Sequence, residues 1–141
     1  MKGASAMRLN FFALILAAVL AAPALAQSAP LAGSEWRPTE IDGVEIAEDT
    51  KIFIGFGDDG RVQGSGGCNR FTGSYEVDGD TISFGALAAT RMLCPEPIQE
   101  NEDRLFAALS RVSKFSRERI DLTLSDDADT PLIRLAQTDA D

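Results

Sequence analysis

The sequence contains no histidine. That removes the commonest general base at neutral pH, the usual serine or cysteine triad and most zinc sites. A carboxylate pair stays open as a catalytic device, but among 22 aspartates and glutamates such pairs arise easily and carry almost no specificity. Basic residues are few: 13 lysines and arginines leave a formal charge of −9. Nucleic acids and anionic membrane surfaces both demand positive patches, so neither is an expected partner. The acidic balance favours a solvated surface and cationic partners. Long apolar runs are also lacking. The longest, residues 11–22 (FFALILAAVLAA), is well short of the roughly 20 residues that a membrane-spanning helix needs.

That run has the length of a signal-peptide core. Lys2 and Arg8 precede it, Pro23 breaks it, and Ala24-Leu25-Ala26 supplies a small-x-small cleavage site. Residues 1–26 therefore read as a cleavable export signal, with Met7 as an alternative start that would preserve it. No cysteine stands at the cleavage site and no twin-arginine pair precedes it, so a free, unanchored periplasmic or secreted chain is expected. Loss of Lys2 and Arg8 would take the formal charge from −9 to about −11. The remainder suits one domain, set at residues 34–136, after a loose lead-in at 27–33 and before an acidic tail at 137–141.

Only two cysteines are present, Cys68 and Cys94. An even count in an exported chain reads as one structural disulfide. A reactive dithiol is the alternative, but redox pairs usually lie close together as C-x-x-C at a helix start. Cys68 sits in the densest glycine stretch, GSGGCNRFTGSY at 64–75. This stretch lacks the lysine of a phosphate-binding loop, has Asn69 where a dinucleotide fingerprint has glycine, and runs into strand-like alternation. It reads as a bend over Gly64–Asn69 that aims Cys68 toward Cys94.

Elsewhere the apolar spacing is mostly of period two. Ile52, Ile54 and Phe56 alternate, as do Phe71, Gly73, Tyr75 and Val77, then Ile82 and Phe84, and later Ile120, Leu122 and Leu124. Asp42-Gly43, Asp58-Asp59-Gly60 and Asp78-Gly79 are hairpin turns, the last expected as type I′. Residues 125–130 form a polar loop before a strand opened by Pro131. Asp126, Asp127 and Asp129 lack the glycine and distal glutamate of an EF-hand and read as a solvated turn. One segment changes period: Ile98, Leu105, Phe106, Leu109 and Val112 form the stripe of an amphipathic helix entered through Pro95 and Pro97. Glu96, Glu100, Glu102 and Asp103 then read as a solvated face complementing the helix dipole. Strands, one helix, then strands imply an α+β domain with a strongly curved, open-barrel-like antiparallel sheet.

Gly67-Cys68-Asn69 with Phe71, Gly73 and Tyr75, followed by Leu87, Thr90, Met92 and Cys94 and an acidic helix ending in Leu105, Phe106 and Leu109, resembles the META/HslJ family of exported bacterial domains. The resemblance spans about residues 31–135, and Trp36 and the Ile41-Asp42-Gly43 turn fit its opening. It implies a small barrel-like envelope domain linked to heat shock and antibiotic tolerance, with no established reaction and no catalytic residue to carry over. Many members are lipoproteins; this chain lacks the cysteine for that anchor. Gly67, Asn69, Phe71, Gly73, Tyr75, Thr90 and Met92 are accordingly assigned structural roles, and Arg91 a surface pairing. The expectation is a monomeric, non-enzymatic interaction module without cofactor or metal, whose partner is an envelope protein or peptide. The alternative is a carrier holding a small apolar ligand among Trp36, Phe53, Phe56, Phe71 and Phe84. A carboxylate-based hydrolase ranks third.

Overall fold

A computed structural model describes residues 30–138, together with Gly3 and Ala21. The export signal expected at 1–26 therefore lies outside the described residues, apart from those two positions. Among the described residues, ten strands and one helix follow in the order β1 (Ser34–Ile41), β2 (Val44–Glu45), β3 (Ile52–Phe56), β4 (Arg61–Gly66), β5 (Arg70–Asp78), β6 (Thr81–Phe84), β7 (Ala88–Ala89), α1 (Ile98–Leu109), β8 (Lys114–Glu118), β9 (Asp121–Ser125) and β10 (Pro131–Gln137). Eight of them close a ring, β1-β3-β4-β5-β6-β8-β9-β10 and back to β1, with every pairing antiparallel. The sheet is thus a closed barrel rather than an open one. β2 folds back on β1 and β7 lies on β5.

The narrowest seam is β6–β8, where Thr81 pairs with Lys114. Amides of Ile82 and Phe115 extend it by donating to Ser113 and Asp80 carbonyls. Two-residue turns set the registers. Asp42 and Gly43 both have positive φ, as a type I′ hairpin requires. At the β5–β6 turn Asp78 pairs with Thr81, so the central pair is Gly79-Asp80, one residue later than the sequence suggests. Only Gly79 has positive φ there, which is the type II′ pattern rather than I′.

An eight-stranded barrel is just wide enough for side chains to fill. Trp36, Ile41, Ile54, Phe56, Leu122, Leu124 and Ile133 are all fully buried in one contiguous core. Phe71 joins them and Phe84 packs at the margin, but Phe53 alternates to the outer face, against the expectation that it points inward. Val77 and Ile120 are exposed, one near the end of β5 and the other in the β8–β9 turn. Phe115, in a strand the apolar spacing did not reveal, is core.

Both barrel ends are covered. At the end where β1 begins, the Trp36 indole donates to the Ser34 hydroxyl at 2.7 Å, and the Arg117 guanidinium lies 5.0 Å above the ring. Arg117 also donates to the carbonyls of Pro30 and Arg119 and to Gln137 Oε1. Leu31, at the end of the lead-in expected to be loose, is buried, and its carbonyl accepts from the Ser34 amide. The sheet also reaches past residue 136: Gln137 pairs with Trp36, and the Thr138 amide donates to Glu35. At the opposite end α1 contacts β4, β10 and β1, burying Glu102, Leu105, Ala108 and Leu109.

Tyr75 ties the β3–β4 turn to the wall, its hydroxyl donating to the Gly57 carbonyl at 2.6 Å and its ring meeting Phe56 edge-on at 5.0 Å. Burial raises its pKa above the ordinary 10.0, and the charges of Asp59 and then Asp58 add to this. The folded state holds this proton more tightly than the unfolded chain. The linked stability is therefore fully present below pH 10.0 and lost as pH rises through the higher folded value. Tyr75 is the sole tyrosine, so tyrosinate absorbance reports it alone. Its midpoint is expected above 10.0 in the folded protein and near 10.0 in denaturant; coincident midpoints would refute the buried placement.

Candidate functional site

The residues that the sequence singles out converge at the end of β4. β4 itself continues through Gly66, so the bend is shorter than expected and consists of Gly67, Cys68 and Asn69. Gly67 has φ of 105°, a region closed to side-chain-bearing residues, which is why glycine precedes the cysteine. The turn is closed by the Gly66 amide donating to the Asn69 carbonyl at 2.9 Å. Cys68 and Cys94 form a disulfide, with Cα atoms 5.9 Å apart.

Beneath this turn lies a residue that the sequence reading placed in solvent. Glu102 is 3 % exposed. Its Oε2 accepts from the amides of Cys68 at 3.1 Å and Asn69 at 2.5 Å, and its Oε1 accepts from Asn69 Nδ2 at 2.6 Å. A buried carboxylate needs such donors, because burying it unpaired costs far more than any contact it makes. Gly66 leaves room for it: a Cβ there would lie 2.6 Å from Glu102 Cγ.

Asn69, also buried, uses the rest of its amide to hold the segment before the second cysteine. Its Oδ1 accepts from the Met92 amide at 2.7 Å and the Thr90 hydroxyl at 2.9 Å, while Nδ2 donates to the Met92 carbonyl at 3.0 Å. The Thr90 hydroxyl accepts from the Arg70 amide. Gln99, one turn above Glu102 on α1, accepts from the Cys94 amide at 3.2 Å. The structure thus unites Cys68, Cys94, Gly67, Asn69, Thr90 and Met92. Phe71, Gly73 and Tyr75 continue along β5 as wall, with Phe71 packed edge-on against Phe106 at 5.5 Å. Glu102 and Gln99 are the members that sequence reasoning missed.

The side-chain polar atoms of Asn69, Thr90 and Glu102 are spent on holding the turn. What the arrangement presents outward is different: Leu93 is 93 % exposed and Met92 59 % exposed, although the Met92 backbone is held at both its amide and its carbonyl. Two adjoining hollows flank this segment on the outer wall, one of about 640 Å³ and one of about 460 Å³, and both are lined by Phe53, Arg70 and Thr90. The Asp126–Asp129 turn is separate. Asp126 Oδ1 accepts from the amides of Ala128 and Thr130, and Asp129 pairs with Lys114.

These features make the chain a small closed β-barrel capped by one helix, with a cystine-pinned turn bonded to a buried helical carboxylate. The META domain family model matches residues 29–139, and the chain belongs to that family. Two solved structures share its fold. An NMR structure of a protein from Burkholderia xenovorans is 24 % identical, covers 77 % of this chain and 84 % of that one, and superposes with a TM-score of 0.63. A second NMR structure is also 24 % identical, covers 75 % of this chain and 90 % of that one, and has a TM-score of 0.61. No curated protein matches the chain significantly.

Proposed function

We propose that this chain is a non-enzymatic domain of the cell envelope that binds a protein or peptide partner, in a role tied to envelope stress or antibiotic tolerance. Export through a signal cut after Ala26 would place it in the periplasm or medium. The Cys68–Cys94 bridge supports that compartment, since disulfides persist where the environment is oxidising. The observation that carries the binding reading is the segment Arg91-Met92-Leu93. It is exposed and apolar at two positions, yet its backbone is clamped by Asn69 and bounded by the cystine. Adjoining exposed apolar groups on a pre-ordered backbone lose little entropy on binding and offer a partner apolar surface to cover.

The test uses the full exported chain in cells that make it natively. A photo-crosslinking residue at position 93 or 53 is expected to yield an adduct of defined mass, and one at exposed position 127 none. Absence of adducts at both 93 and 53 would overturn the interaction reading. A lipid or metabolite retained in native mass spectrometry would then favour the carrier. The intact mass of the exported protein is expected to correspond to a chain beginning at Gln27 without free thiols.

A further inference from the structure

On the reading that this domain binds a protein segment, we infer that the outer barrel wall beside the cystine is a docking groove for an acidic peptide with apolar residues spaced between its acids. The two hollows run across β3, β4 and β5 to β7, meeting at Phe53 and Arg70. Arg37, Lys51 and Arg70 line them, and no lining residue of either is acidic. In a chain with 22 acids and 13 bases, an acid-free hollow holding three cations is a local inversion of the molecular charge. Arg61 adds a fourth cation at the margin, donating to Thr72, whose side chain lines the second hollow.

These cations are not consumed by the fold. Lys51 and Arg70 have no ion-pair partner among the described residues. Arg37 approaches a highly exposed Glu48 only to 3.8 Å, a contact that an incoming carboxylate displaces at little cost. Between them lie apolar surfaces, the outward ring of Phe53 and the side chain of Met92. A free phosphate would use the charges and waste the apolar floor. An anionic bilayer would be repelled by the rest of the surface, which is strongly acidic. A short peptide uses both features, and only its own few residues need match the groove. Because the hollows cross the strands rather than follow an edge, recognition is through side chains, not through an added strand. The rigid turn beneath, fixed by Glu102, keeps Cys68 and the groove wall in place.

The probe is a labelled peptide alternating glutamate with leucine, compared with versions bearing glutamine or lysine in place of glutamate, each titrated by anisotropy against the exported full chain. The glutamate peptide is expected to bind about tenfold more tightly than the glutamine one, with the difference falling as salt rises. The lysine peptide is expected not to bind. The exposed pair Lys51→Glu and Arg70→Glu together should abolish this preference, and Phe53→Ser should weaken all binding. Equal binding of the three peptides, or an unchanged preference in the charge-reversed chain, would overturn the inference. So would equal competition by inorganic phosphate or by phosphatidylglycerol vesicles, or self-association of the chain replacing peptide binding. The crosslink at position 93 separates the two levels: an adduct that persists in the charge-reversed chain, without peptide discrimination, sinks the groove and leaves the interaction reading standing.

Discussion

Replacing Glu102 by alanine is expected to lower folding stability by about 3–5 kcal/mol, read from the denaturant midpoint of the single tryptophan's fluorescence. The carboxylate serves three donors at once, two of them backbone amides with no alternative in the turn. Truncation strands those amides against the helix and leaves a void beside Gly66. Glu102→Gln is expected to cost less, about 1–2 kcal/mol, but not to be neutral. Its amide oxygen can still take the backbone donors, yet its NH₂ would then face Asn69 Nδ2. Asn69 cannot flip to compensate without losing the Met92 amide and the Thr90 hydroxyl. Gly66→Ala supplies an internal check. Alone it should be strongly destabilising, because the new methyl meets Glu102 Cγ at 2.6 Å and Oε2 at 2.7 Å. Combined with Glu102→Ala, it should cost far less than the sum, since the clash disappears. A cost below about 1 kcal/mol for Glu102→Ala would show that the turn does not depend on this carboxylate.

That carboxylate also shows where sequence reading ran short. The stripe Ile98, Leu105, Leu109 leaves one gap of seven residues, and Glu102 sits in it, four after Ile98 and three before Leu105. Period alone puts position 102 on the inward face. The residue type argued the other way, because glutamate is almost never fully buried unless paired. Its partners are the amides of a turn more than 30 residues earlier, so no local pattern announces them. The strands that alternate cleanly, Ile52–Phe56 and Asp121–Ser125, were legible because one face of each meets a barrel core. Phe53 was misplaced for the same reason that its neighbours were placed well: it is apolar, but on the odd phase. Barrel closure was hidden because it rests on β6–β8, a seam with one paired position between short strands. The cystine was legible from cysteine parity and an expected export signal, whereas the role of Asn69 as a clamp on Met92 rests on contacts between residues more than 20 apart.

Removing the cystine, by Cys68→Ser with Cys94→Ser, is expected to cost about 3.5 kcal/mol, as the unfolded chain regains the freedom of a loop spanning a separation of 26 residues. Against a typical domain stability of about 5–15 kcal/mol this is a large fraction. The fold is nevertheless expected to survive, because the same loop is closed by polar ties: Asn69 to Met92 and Thr90, and Gln99 to the Cys94 amide. Those ties act only in the native state, whereas the bridge acts on the unfolded one, so the two contributions should be nearly independent. Serine substitution combined with Asn69→Ala should therefore lose about the sum of the single costs in global stability. Local behaviour should differ. Without the bridge, segment 90–94 is held only by hydrogen bonds with Asn69, Arg70 and Gln99, so hydrogen exchange at the Met92 amide should quicken before global unfolding does. If the serine pair loses less than about 1 kcal/mol, the unfolded chain is already restrained at this loop and the entropic account of the bridge fails. If the Met92 amide exchanges no faster than the core strands, the clamp by itself is sufficient to order the surface that the partner would meet.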